Sequence, residues 1–113
     1  MGEVTTVERD VVVLHPHGEL DVHTCNPLRE DIERYIQSGQ AQLVVDLSDV
    51  TYLDSSALGV LVTGLKLARK SGGALKLSGL QSNVRKIFDL TRLSKFFEIF
   101  DDLDTAVNSF PRG

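Results

Sequence analysis

The sequence contains no tryptophan, one cysteine, one methionine and three prolines, and these scarcities exclude several kinds of protein. With Cys25 alone, no internal disulfide can form and no cysteine-built metal cage can close, so Cys25 is expected to be a minor packing residue. No apolar run approaches the ~20 residues that a membrane-spanning helix requires, and Met1-Gly2-Glu3 lacks the basic start and apolar middle of a signal peptide. A cytoplasmic protein that does not enter membranes is expected. Positive charge is also in short supply: 12 Lys and Arg stand against 16 Asp and Glu, a formal net charge of -4. That is the wrong sign for a phosphate backbone, so direct nucleic-acid binding is not expected. The basic residues Lys66, Arg69, Lys70, Lys76, Arg85, Lys86, Arg92 and Lys95 are spread over several segments and read as solvated helix faces.

What is present suits an ordinary folded domain. Apolar residues at 42% and charged residues at 25% match the average of globular proteins, which removes disorder as a reading. The 113 residues accommodate one compact domain and are too few for two. A single domain over residues 1–113 is expected, with its core between about residues 4 and 110.

Periodicity divides the chain into alternating elements. Val4 to Glu8 and Val11 to Leu14 are β-branched runs separated by Arg9-Asp10, the spacing of a hairpin, and Gly18-Glu19-Leu20-Asp21 reads as a turn. Asn26 precedes Pro27, the arrangement of a cap and a first helical residue. Leu28, Ile32, Tyr35 and Ile36 then mark one helical face that Gly39 ends. Leu43 to Leu47 is a central strand carrying Asp46 near its exit, and Ser48 to Leu53 is a loop. Leu58, Leu61, Val62 and Leu65 define a second helix beginning near Ala57 and stopped by Gly72-Gly73. Ala74 to Leu77 is the next strand. Ser82 or Asn83 caps a third helix with Val84, Ile87 and Phe88 inward, Phe96 to Phe100 is a last strand, and Leu103, Ala106, Val107 and Phe110 form a last helix. The order ββαβαβαβα predicts an α/β fold, a mixed open sheet with about four helices and parallel strands linked through them. A monomer is the default, although an edge strand near the N-terminus offers a place for a second chain to pair.

The chemistry concentrates at Asp54-Ser55-Ser56. Both hydroxyls fall at or just before a helix N-terminus, where free N–H groups and the helix dipole favour an anion. A phosphoserine brings roughly -1.5 to -2 charge and three acceptor oxygens, and such a position accepts it without unfolding the helix. The same residues are also the commonest helix caps, and capping alone accounts for them equally well. Asp46 and Asp54 form a candidate carboxylate pair, but no third group completes an acid–base set. A small hydrolase would take Ser55 or Ser56 as nucleophile and His15, His17 or His23 as base. That reading lacks an oriented third group and a Gly-x-Ser-x-Gly elbow. His15-Pro16-His17 lies in a predicted loop, and two histidines without further spaced ligands make no metal site.

Several separated motifs occur in an order that resembles the STAS domain, over nearly the whole chain. They are Gly18-Glu19-Leu20-Asp21, Val44-Val45-Asp46-Leu47, Tyr52-Leu53-Asp54-Ser55-Ser56-Ala57-Leu58-Gly59, Gly72-Gly73 and Val84-Arg85-Lys86-Ile87-Phe88. More narrowly, the chain resembles the stand-alone bacterial anti-sigma-factor antagonists. The resemblance implies that the unphosphorylated chain binds an anti-sigma factor with serine kinase activity and so frees a sigma factor for transcription. Phosphorylation of Ser55 by that kinase ends binding, and a PP2C-type phosphatase reverses the mark. It implies a partner-binding set of Asp21, Asp54, Ser55, Ser56, Ala57 and Gly59, and no catalytic residue, metal or cofactor. Ala57 stands where such antagonists commonly carry glycine, and its methyl is expected to crowd a partner that approaches the backbone closely. The alternative within protein interaction is a STAS scaffold or an accessory subunit of a signalling or transport complex.

Overall fold

The computed structural model describes residues 4–8 and 10–111. Met1-Gly2-Glu3, Arg9 of the expected hairpin turn, Arg112 and Gly113 lie outside the described residues. The elements run β1 (Val4–Glu8), β2 (Val11–His15), β3 (His17–Leu20), α1 (Asn26–Gln37), β4 (Gln42–Asp46), β5 (Asp49–Leu53), α2 (Ser55–Lys70), β6 (Ala74–Ser78), α3 (Ser82–Leu90), a 3-10 turn (Leu93–Lys95), β7 (Ile99–Phe100) and α4 (Leu103–Asn108). The expected α/β class, mixed sheet and four helices are all present.

The main sheet has the order β1-β2-β4-β6-β7. β1 pairs antiparallel with β2, with Val4 opposite His15 and Glu8 opposite Val11. The other pairs are parallel. Strand alternation sends side chains to two faces. Val12, Leu14, Leu43, Val45, Leu75 and Leu77 join the larger core with Leu28 and Ile32 of α1, Leu61 and Leu65 of α2, and Val84 and Phe88 of α3. Val11, Val13 and Val44 face the other way and are covered by Ala106 and Val107 of α4 and by Phe110.

Two expectations fail in the same way. Gly18 to Asp21 is not simply a turn and Ser48 to Leu53 is not a loop: β3 and β5 pair in parallel as a separate two-stranded sheet. Gly18 has φ +80° and the register shifts between Gly18 and Glu19. A bulge of this kind disrupts the alternation by which a strand is recognised. The observed order is therefore βββαββαβαβα. It also places His15 at the end of β2 and His17 at the start of β3, with Pro16 buried between them, rather than in a loop.

Helix starts are shifted too. α1 begins at Asn26, with Cys25 buried at its cap position and Pro27 in the first turn, and the Asn26 carboxamide oxygen accepts a hydrogen bond from Arg29 instead of capping. α3 has Gln81 at its cap, with no side-chain bond from Ser82 or Asn83. Gln81 Nε2 donates to Ser48 O (2.9 Å) and Asn83 Nδ2 to Thr51 O (2.7 Å). These side chains tether α3 to β5 rather than closing its own first turn. Only Ile99–Phe100 of the expected strand from Phe96 is a strand. Phe97 instead packs edge-on against Phe88, with ring centroids 5.8 Å apart. Lys76 departs from the solvated basic set: it is buried on β6, with Nζ donating to the Ser109 hydroxyl at 2.9 Å.

Candidate functional site

Because β3 and β5 run parallel, with Leu20 opposite Leu53, the two chains leave the small sheet side by side. Asp21 and Asp54 are therefore delivered to one corner of the molecule. Asp54 has extended backbone angles and is the N-cap of α2, which begins at Ser55, two residues earlier than the apolar periodicity indicates. Its Oδ1 accepts from Ala57 N–H at 3.0 Å, the bond expected of a capping aspartate. Its Oδ2 accepts from Val22 N–H at 3.1 Å, and its own N–H donates to Leu20 O at 3.1 Å. The capping role thus belongs to Asp54, which leaves the serine hydroxyls with no capping duty at Ala57.

Asp21 closes the neighbouring loop. Its Oδ1 accepts from His23 N–H at 2.8 Å and from Thr24 N–H at 3.1 Å, while Thr24 Oγ1 donates to Glu19 O at 2.7 Å. The bond from His23 N–H, with help from Thr24, holds the Asp21 carboxyl below the ordinary aspartate value, because these donors favour the charged form.

Along the first turns of α2, exposure alternates with helical period. Ser55 is exposed, Ser56 half-buried, Ala57 and Leu58 buried and Gly59 exposed. A Cβ built on Gly59 would meet nothing within 4 Å, so packing does not demand glycine there and its effect is to keep the helix surface flat. Ser56 and Gly59 border an open groove of about 380 Å³ between α1 and α2, which Val22 and Arg29 also line. Ala57 is the exception in the expected partner-binding set. It is 0% exposed within the main core, so its methyl packs inward and presents nothing to a partner. The expected crowding does not arise.

The remaining candidates are engaged elsewhere. His15 Nδ1 lies 3.1 Å from Asp46 Oδ2 across the ends of β2 and β4, and Asp46 Oδ1 accepts from Ser48 N–H at 3.2 Å. His15, one of the three histidines considered as a base, thus faces Asp46, while His17 and His23 are exposed, and Asp46 and Asp54 each hold separate backbone donors instead of forming a pair. Among the described residues, no three His, Cys, Asp or Glu side chains are grouped to hold a metal ion, and no helix is long and apolar enough to cross a membrane. Sequence reasoning missed Val22. A single β-branched residue between Asp21 and His23 carries no periodic signal, and its place beside Asp54 follows only from the pairing of β3 with β5.

Comparison with known proteins agrees with this architecture. The family model described as STAS domain matches residues 3–106. The anti-sigma-B factor antagonist of Bacillus subtilis (strain 168) is 38% identical over 97 residues, covering 86% of this chain and 87% of its own. The crystal structure of a Thermotoga maritima protein superimposes with a TM-score of 0.89 at 29% identity, over 95% of this chain and 92% of that one. That of an anti-sigma factor antagonist from Mycobacterium paratuberculosis gives 0.85 at 27% identity, over 95% and 91%. By the match of the family model over most of its length and by these relatives, the chain belongs to the STAS domain family, among the anti-sigma factor antagonists.

Proposed function

We propose that the corner formed by the start of α2 and the β3–α1 loop docks onto an anti-sigma factor with serine kinase activity, and that phosphorylation of Ser55 switches this docking off. Unphosphorylated chain sequesters the anti-sigma factor and frees the sigma factor in the cytoplasm. A PP2C-type phosphatase restores the binding form, and the chain acts as a monomeric binding protein rather than an enzyme. Asp21, Ser55, Ser56 and Gly59 contribute the contact surface, and Asp54 belongs to it through the bonds its carboxylate makes to Val22 N–H and Ala57 N–H.

The observation that carries this reading is the division of labour at the helix start: Asp54 makes the cap to Ala57 N–H while Ser55, at the first helical position, is exposed. A kinase can reach such a hydroxyl without opening the fold. The added dianion sits near the positive end of α2, so the helix tolerates it. It also sits beside the Asp54 carboxylate, so an interface closing over it must desolvate two neighbouring negative groups. A loss of only ~2.8 kcal/mol at that interface lowers affinity about a hundredfold.

The test is incubation with the purified kinase and ATP, followed by mass spectrometry and a binding measurement. A phosphate on Ser55, its loss in Ser55→Ala with an unchanged circular dichroism spectrum, and at least ~10-fold weaker binding of Ser55→Asp are expected. Binding that ignores Ser55→Asp would instead favour a constitutive scaffold.

A further inference from the structure

Val22 sits in the β3–α1 loop with 57% of its surface exposed. A lone exposed valine is unremarkable. This one, however, is fixed in position, because its N–H donates to Asp54 Oδ2 at 3.1 Å across a sequence separation of 32. The other oxygen of the same carboxylate holds Ala57 N–H in the first turn of α2. One side chain therefore serves two elements, and the loop is closed on its far side by Asp21. Val22 also lines the α1–α2 groove together with Ser56 and Gly59, so its side chain is continuous with the docking corner.

We infer that Asp54 is a positioning residue: its carboxylate clamps the β3–α1 loop to the start of α2, so that Val22 and the Ser55 corner meet the anti-sigma factor as one preformed patch. This inference rests on the docking reading above and adds to it an apolar anchor and the group that holds that anchor in place. Free loops must be ordered when they bind, and a loop already held by a hydrogen bond to a neighbouring element avoids that loss. The patch then combines the exposed Val22 side chain with its neighbour Asp21 and with Arg29, which lines the same groove. A complementary partner surface carries an apolar pocket edged by a basic side chain towards Asp21 and an acidic one towards Arg29.

Asp54→Ser separates the two roles of the carboxylate. Serine is as good an N-cap as aspartate, so Ala57 N–H keeps its acceptor. One short hydroxyl cannot also reach Val22. In the free protein, amide exchange at Ala57 should stay slow while exchange at Val22 accelerates. Affinity for the anti-sigma factor, measured without ATP, should fall about tenfold in Val22→Ala and similarly in Asp54→Ser. The double variant should be no weaker than the weaker single, since both changes remove the same anchored contact. Additive losses would mean that Asp54 touches the partner on its own account, and would overturn the inference. So would wild-type affinity in either single variant, or unchanged exchange at Val22. If Asp54→Ser fails to fold, Asp54→Asn, which retains one acceptor oxygen, supplies the second arm of the same cycle. The docking reading fails separately, if the unmodified chain does not bind the anti-sigma factor; the clamp is then still read from amide exchange at Val22 in the free protein, and Ser55→Asp binding as tightly as wild type removes only the phosphorylation switch.

Discussion

Gly72 and Gly73 end α2 for different reasons. Gly72 has φ +87°, a left-handed conformation that side chains resist. Gly73 has no such angle, but a Cβ there would lie 2.1 Å from Ala41 O, the carbonyl that accepts Ala74 N–H at 3.0 Å where β4 and β6 begin. The sequence reading of a helix stop explains the first glycine and misses the second, since close approach of a backbone distant in sequence leaves no local signal. Ala57, by contrast, lies four residues before Leu61 and eight before Leu65, so its burial is legible in the apolar spacing of α2. Asp21 offers a test at this scale. Its folded pKa is depressed, so its contribution is complete above the unfolded value of about 3.9 and is lost as pH falls from there through the lower folded value. Urea midpoints for wild type and Asp21→Asn measured from pH 6 to 2.5 should show a wild-type advantage that is constant above about pH 5 and vanishes on acidification. A difference that grows towards low pH would contradict the role of the His23 and Thr24 donors.

Among the elements, α4 is the shortest helix, and its attachment depends on one residue that the sequence classes as surface. Lys76 is 6% exposed, and its Nζ donates to Ser109 Oγ at 2.9 Å and to Ser109 O at 3.3 Å. The ammonium lies 4.2 Å from the centroid of the Phe110 ring and 3.6 Å from Glu98 Oε1. A cation at the C-terminal end of a helix is favoured by the free carbonyls there, and the aliphatic stem fills the sheet face beneath α4. Lys76→Ala should destabilise the domain by ~1–3 kcal/mol, with faster amide exchange concentrated at Ala106 and Val107. Exchange that rises equally throughout the chain would deny Lys76 a local role. Helices and central strands were legible because each has one long apolar face. β3 and β5 were not: each is short, one carries a bulge, and their pairing partner is known only once the chain has folded back.

For the molecule as a whole, β4 is shared by both cores. Leu43 and Val45 face the three-helix side and Val44 faces α4, so neither layer can separate without disrupting the strand between them. Unfolding should therefore be a single transition, with coincident midpoints from far-ultraviolet circular dichroism and from fluorescence of Tyr35 and Tyr52. Leu61→Ala in one core, at ~2–5 kcal/mol, and Val107→Ala in the other, at ~1–3 kcal/mol, should both move that same transition. Circular dichroism and fluorescence transitions that no longer coincide within either variant would show the α4 layer to be an independent unit. The amino-acid order alone settled the alternation of helices and strands, the α/β class and the presence of a polar helix start at Asp54-Ser55-Ser56, since these depend on near-neighbour spacing and capping chemistry. The joining of Asp21 and Val22 to Asp54 and the burial of Lys76 were decided only in three dimensions. Each depends on which distant backbone arrives alongside, and periodicity within a segment carries no record of that.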